Sequence, residues 1–229
     1  MNEYEVVLSM LQVINEDKRF SKFTHKEKFI NMWHDFLNEV DGSIRYFVKD
    51  LDNEDQLYRF EFPVSNISMN FEFSIKYIRD IFSKHPECAN PIIFDNVDGK
   101  LFQNNFGCYY THIVDSDLED VKNDTDLHNA YIIPFIQDQY TFLAIDGNHR
   151  ICYQIKKNIK RIKALYFNDV IAASALGTPF QVCAFCLNND FQRIIYNLEH
   201  VHDDRLLRST NIVQKNKILD IINQRQKKS

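Results

Sequence analysis

The residues best placed to do chemistry are the five from Asp146 to Arg150, reading DGNHR, where an apolar run meets an amphipathic stretch. Tyr140, Phe142, Leu143, Ala144 and Ile145 read as a largely buried strand, and Ile151, Cys152, Ile155 and Ile159 recur at helical spacing. The motif is therefore a strand-to-helix turn. Helix starts carry N–H groups without intrahelical partners and the positive end of the macrodipole, and a glycine there lets an anion approach the backbone closely. His149 and Arg150 add side-chain donors, so the expected chemistry is phosphate binding. Asp146 is the adjacent carboxylate. It reads either as a cap or turn-former or as the group that orients an acceptor or Mg²⁺ in phosphoryl transfer. With only five glycines in 229 residues, against a typical usage of about 7%, Gly147 carries more weight than it would elsewhere.

The elements around the motif follow from hydrophobic spacing. Val6, Val7, Met10, Leu11, Val13 and Ile14 form one helical stripe. Thr24 with Glu27 resembles a capping box leading into Phe29, Met32, Trp33, Phe36 and Leu37. Between Tyr46 and Met69 the pattern turns to alternation, with Tyr58, Phe60 and Phe62 on one strand face and Pro63 as its stop. Phe73, Ile75, Ile78, Ile81 and Phe82 predict a helix ending before Pro86, and Pro91 to Phe94 a short strand. The polar stretch 104–129 reads as an insertion or long loop, with a helical turn around Leu118 to Val121. Ile132 to Ile136 and the strand before DGNHR then form a pair around a turn at Gln137, Asp138 and Gln139. Ile162 to Phe167 follows as a strand, and Phe180 to Val201 and Asn211 to Gln224 as helices.

Composition bounds the alternatives. The apolar content of 45% supports a substantial core, and no run approaches the roughly 18 to 20 apolar residues of a membrane span. The N-terminus has acids where a signal peptide needs bases, so a soluble cytoplasmic protein without a membrane partner is expected. Five cysteines, an odd number, argue against a disulfide framework. The net charge of −5 is uneven: five bases and no acid lie in 156–163, and seven bases and one acid from 205 onward, leaving 15 bases against 31 acids elsewhere. Lys156, Lys157, Lys160, Arg161 and Lys163 are thus candidates for nucleic-acid contact, or an ordinary solvated face. Cys183 and Cys186 with His200 and His202 offer four zinc ligands on paper, but His-x-His on a helix points two ways, so no metal site is assigned. The acid run Asp115 to Asp126 lacks the turn glycine and closing glutamate of a calcium loop.

The segment IIPFIQDQYTFLAIDGNHRICYQIKKNIKRIKALYF, a proline-led strand, turn, strand ending in D-G-x-H-R, helix and further strand, resembles the ParB/sulfiredoxin superfamily. The match covers about 36 residues closely and up to half the chain more loosely. It implies an α+β (α/β) fold, a small mixed sheet with packed helices, over 46–170, flanked by helical segments at 1–45 and 171–229. It also implies that Gly147, Asn148, His149 and Arg150 line a nucleoside triphosphate site, for ATP or CTP with Mg²⁺, with Asp146, His149 and Arg150 as catalytic candidates. Sulfiredoxins carry a reactive cysteine where this chain has Asn148, which excludes sulfinic acid reduction, and Cys152 is one helical turn too far along to replace it. The arginine-rich box and helix-turn-helix of chromosome-partitioning ParB proteins are not recognisable. Free-serine kinases carry D-G-x-H-R and larger regulators of DNA modification carry D-G-Q-H-R. The leading expectation is therefore nucleotide-dependent phosphoryl transfer or hydrolysis. The rivals are a ParB-like DNA-binding regulator or nuclease, and a structural member of the fold without turnover.

Overall fold

The computed structural model describes residues 2–43, 56–64, 67–113, 129–137 and 140–226, and over them the chain is a mixed α+β protein. In chain order the first elements are helices α1 (Glu3–Glu16) and α2 (Lys26–Ser43), strands β1 (Leu57–Val64) and β2 (Ile67–Ser74), and helix α3 (Ile75–Lys84). Strands β3 (Ala89–Val97), β4 (Lys100–Gln103), β5 (Phe106–Tyr109), β6 (Ala130–Gln137) and β7 (Tyr140–Asp146) follow. Helix α4 (Asn148–Lys156) and strand β8 (Arg161–Phe167) precede α5 (Asp169–Ser174), α6 (Pro179–Asn197), α7 (Asp203–Arg208) and α8 (Lys215–Gln226). Two compact units result, residues 1–74 with 173–229, and residues 75–172.

The first unit is built around α6, whose residues from Pro179 to Phe191 are all buried, as expected of a helix surrounded on every side. Phe71 and Phe73 of β2 meet Phe185 edge-on, and Phe20 and Phe191 pack likewise. Phe29, Trp33, Phe36 and Leu37 of α2 are fully buried; in the α1 stripe only Val13 is exposed. α1 opens with a capping box that the sequence reading missed: Asn2 Oδ1 accepts from the Glu5 N–H, and the Glu5 carboxylate accepts from the Asn2 N–H, both at 2.9 Å. Thr24 serves a different partner from the one expected, donating its N–H and hydroxyl to the Asp203 carboxylate at 2.8 and 2.6 Å.

β1 and β2 form a two-stranded antiparallel hairpin. Pro63 does not stop β1; it sits inside the strand opposite Ser68, which a sheet of two strands tolerates because a residue lacking an N–H can face the open edge. Phe73, expected to open a helix, is a β2 residue bridging Leu176, and the next N–H, of Ser74, donates to the Ala175 carbonyl at 2.8 Å. The hairpin, grouped from sequence with 46–170, packs instead with the helices. Cys183 and Cys186 are buried along α6, which accounts for their spacing as core packing.

In the second unit the expected small mixed sheet closes on itself. Six strands form a barrel in the order β3, β4, β5, β7, β6, β8, with β8 returning to β3. The pairs β5–β7 and β6–β8 are parallel and the rest antiparallel. Closure removes the exposed edges a small sheet would leave. Ile92, Phe94, Leu101, Cys108, Ile132, Ala144, Ile162 and Ala164 fill the interior, joined by Ile151 of α4.

Two tight hairpins make the closure possible. Asp98 and Gly99 (φ 51° and 81°) turn β3 into β4, and Asn104 and Asn105 (φ 49° and 71°) turn β4 into β5, each with both central residues left-handed as type I′ turns require. The stretch 104–129 is thus not wholly an insertion, because its first six residues complete a turn and a barrel strand. The helical turn expected at 118–121 and the acid run 115–126 lie outside the described residues. Among the described residues no helix is long and apolar enough to cross a membrane.

Candidate functional site

β7 delivers the motif to the end of the barrel, with Leu143, Ala144 and Ile145 buried and Asp146 as its last residue. α4 begins at Asn148, so Gly147 occupies the N-cap position, in the left-handed region (φ 80°, ψ 19°) and without a side-chain cap. A Cβ at 147 would lie 2.8 Å from Arg150 Nη2 and 2.9 Å from Ala130 Cα. Glycine is therefore required twice, for its backbone conformation and for the closeness of β6. The first N–H to pair inside the helix is that of Ile151, with the Gly147 carbonyl at 3.0 Å. The N–H groups of Asn148, His149 and Arg150 precede it and face outward along the axis.

Asp146 is neither the N-cap nor a helix residue. Its Oδ1 accepts the Gly147 N–H at 2.8 Å, and its Oδ2 takes Arg79 Nη2 at 2.9 Å and Arg150 Nη2 at 3.5 Å. One carboxylate thus bridges two guanidinium groups. Arg79 was not singled out in the sequence; it comes from α3, one turn before Phe82, whose ring packs edge-on against Tyr131 and Phe167 and fixes α3 on the outside of β6 and β8. Arg79 also hydrogen-bonds the Tyr131 hydroxyl. Burial raises that phenol above its usual range and Asp146 raises it further, while both arginines pull it back. Arg150 has a side chain only 13% exposed, and its Nε is buried without a hydrogen-bond partner among the described residues.

The five motif residues have separate placements. The Asn148 side chain, expected to line a phosphate site, is turned inward: its Oδ1 accepts the Thr111 N–H at 2.8 Å, and its Nδ2 donates to the Ala144 carbonyl at 3.3 Å. It ties the segment after β5 to the motif, and only its backbone N–H remains at the helix start. His149 is exposed at the helix start, and Arg150 is directed toward Asp146. Lys156, Lys157, Lys160, Arg161 and Lys163 are all exposed, along the last turn of α4, the following turn and the start of β8. Lys157 lies over the Tyr153 ring at 5.7 Å, and Arg161 is paired across the sheet with Asp95.

Two groups of atoms fit a phosphate-bearing ligand. Gly147 presents backbone without a side chain at the helix start, where a Cβ would collide with Arg150 Nη2 and Ala130, and Arg150 and Arg79 bring cationic forks to the adjoining carboxylate. Asp146 does not fit a magnesium site in this arrangement, because both arginines hold its outer oxygen. Among the described residues no group of three or more His, Cys, Asp or Glu side chains is arranged to hold a metal ion. No protein-family model, curated protein or solved structure matches this chain.

Proposed function

We propose that this chain is a ParB/sulfiredoxin-like protein that binds a nucleoside triphosphate, with its phosphates at the start of α4, for phosphoryl transfer or hydrolysis. The observation that carries this reading is the meeting of Arg79 and Arg150 on one carboxylate beside a glycine turn with no room for a side chain. The N–H groups of 148–150 and the two guanidinium groups would hold phosphate oxygens, and exposed His149 is the remaining donor within reach of the turn. Asp146 then acts first as an internal anion, occupying the arginines until phosphate replaces it. Any Mg²⁺ would arrive on the phosphates.

Calorimetry with ATP, CTP and GTP in Mg²⁺ tests this. Arg150→Ala removes charge-assisted hydrogen bonds, each worth about 1.5–3 kcal/mol, so affinity is expected to fall tenfold or more. Asp146→Asn is expected to raise affinity by removing the competing charge; if it also abolishes turnover of labelled nucleotide, Asp146 has a catalytic role besides. Absence of binding by all three nucleotides to the wild-type protein would end the proposal.

A DNA-associated role is the second reading, favoured by the exposure of Lys156, Lys157, Lys160, Arg161 and Lys163. Its signature is salt: log affinity for duplex DNA should fall linearly with log salt, with a slope of about −0.9 per phosphate contacted. Charge reversal at Lys156, Lys160 and Arg161 should then release the DNA, and unchanged retention would discard this reading.

A further inference from the structure

Along β4 and β5 lies a pocket of about 190 Å³ that the phosphate chemistry does not use, walled by Phe102, Tyr109, Tyr110 and Tyr140, with Lys100 and His112 also lining it. It is too small for a large organic ligand and of a size for one planar ring. The Tyr109 and Tyr140 rings stand edge to face, 5.5 Å apart at 81°, forming a corner with Tyr109 39% exposed. The Tyr110 hydroxyl is tied to the Gly99 carbonyl, which fixes that wall.

The pocket is joined to α4 by a short rigid path. Tyr110 and His112 flank Thr111, whose N–H donates to Asn148 and whose carbonyl accepts from the Cys152 thiol at 3.6 Å. Asn148 and Cys152 lie one turn apart and so mark one side of α4. At about 100° per residue Arg150 projects about 200° away from Asn148, toward Asp146 and Arg79, with His149 between them. The helix start is thus tied on one side, through Thr111, to the segment that carries Tyr109 and Tyr110, and faces two arginines on the other.

We propose that this pocket receives the nucleobase of the nucleotide whose phosphates lie at the start of α4, the base stacking on Tyr109 or Tyr140. This rests on the phosphate reading above and adds the ring-binding half of the ligand. Base stacking on an aromatic ring is tolerant of base identity, and Lys100 supplies positive charge at the pocket. The Asn148 clamp acquires a role beyond packing, since it sets the spacing between ring site and phosphate site.

The test is calorimetry of the full chain with ATP, CTP, GTP and inorganic tripolyphosphate, in wild type, Tyr109→Ala, Tyr140→Ala and Arg150→Ala, with thermal unfolding to verify that each variant is folded. At least one nucleotide should bind more tightly than tripolyphosphate, by about 5- to 150-fold, the range for one stacked base. Tyr109→Ala or Tyr140→Ala should erase that margin and leave tripolyphosphate affinity within about twofold of wild type, whereas Arg150→Ala should weaken both ligands. Tyr109 is the second variant because its exposed ring can be lost without disturbing the barrel interior. Tripolyphosphate binding as tightly as every nucleotide, or wild-type preference in both tyrosine variants, overturns the base site alone. Failure of tripolyphosphate and nucleotides together overturns the phosphate reading and this site with it.

Discussion

Alanine in place of Gly147 is expected to destabilise the barrel unit by about 2–4 kcal/mol and to abolish the phosphate binding proposed for the start of α4. Two separate effects add. A left-handed conformation costs a residue with a Cβ about 1–2 kcal/mol, and the new Cβ would also press on Ala130 Cα at 2.9 Å and Ala130 Cβ at 3.0 Å. Ala130 belongs to β6 inside a closed barrel and cannot retreat as a flexible side chain would, so the helix start must move, and the N–H groups and Arg150 move with it. Gly99 supplies the control. Its φ is nearly the same, +81°, but a Cβ there would meet only Ile155 Cγ2 at 3.8 Å, an ordinary contact. Gly99→Ala therefore carries the strain without the collision. Urea midpoints of the two variants should differ by the clash alone, and equal losses would show that the close approach of β6 has no energetic weight.

The second large effect is expected at Asp190, a carboxylate buried within α6. Its Oδ1 accepts the Asn211 N–H at 2.7 Å and the Asn211 side-chain amide at 2.8 Å, and its Oδ2 accepts the Ile212 N–H at 3.1 Å. It thereby holds the chain entering the last helical segment. Asp190→Ala leaves three buried or half-buried donors without acceptors and should cost about 3–5 kcal/mol. Burial raises this carboxyl from 3.8 to about 7 despite the donors, which pull it down. A raised folded-state value means that the folded chain keeps a proton the unfolded chain has lost. The stability this group confers is therefore full below pH 3.8 and is lost as pH rises through about 7. Between pH 5 and pH 8 the wild-type melting temperature should fall more than that of Asp190→Asn, which cannot titrate. Parallel profiles for the two proteins would mean that the carboxylate ionises freely inside the fold.

What the sequence could reveal depended on how local the signal was. The strand, turn and helix from Tyr140 to Lys156 were readable because apolar spacing changes from a strand run to a helical repeat at one glycine. The four-residue strands β4 and β5 were not, since they are too short to show a period and sit in polar surroundings. Asn104 and Asn105, a pair suited to left-handed turn positions, were the available sign of that hairpin. Barrel closure was hidden for another reason: it depends on β3 meeting β8 across about 70 residues of chain, and alternation within a strand does not name its partner. Arg79 lies outside the apolar stripe of its helix, which carries no sign of a partner, and its bond to Asp146 spans 67 positions. Asn148 was read by its place in a motif, whereas its burial follows from a neighbour at Thr111 that no local pattern could supply.

The pairing of β3 with β8 also bears on how the chain assembles. Ala89 lies opposite Phe167, so the polypeptide enters and leaves the barrel on adjacent strands, about 5 Å apart. To the helical unit, whose halves are separated by residues 75–172, the finished barrel is a long excursion with its two ends already fastened together. Joining the ends of a loop costs entropy that grows with the logarithm of its length, and a barrel that forms first has met that cost before α6 seeks β2. An inserted module of this kind makes the helical unit, split in sequence, short-range in its assembly.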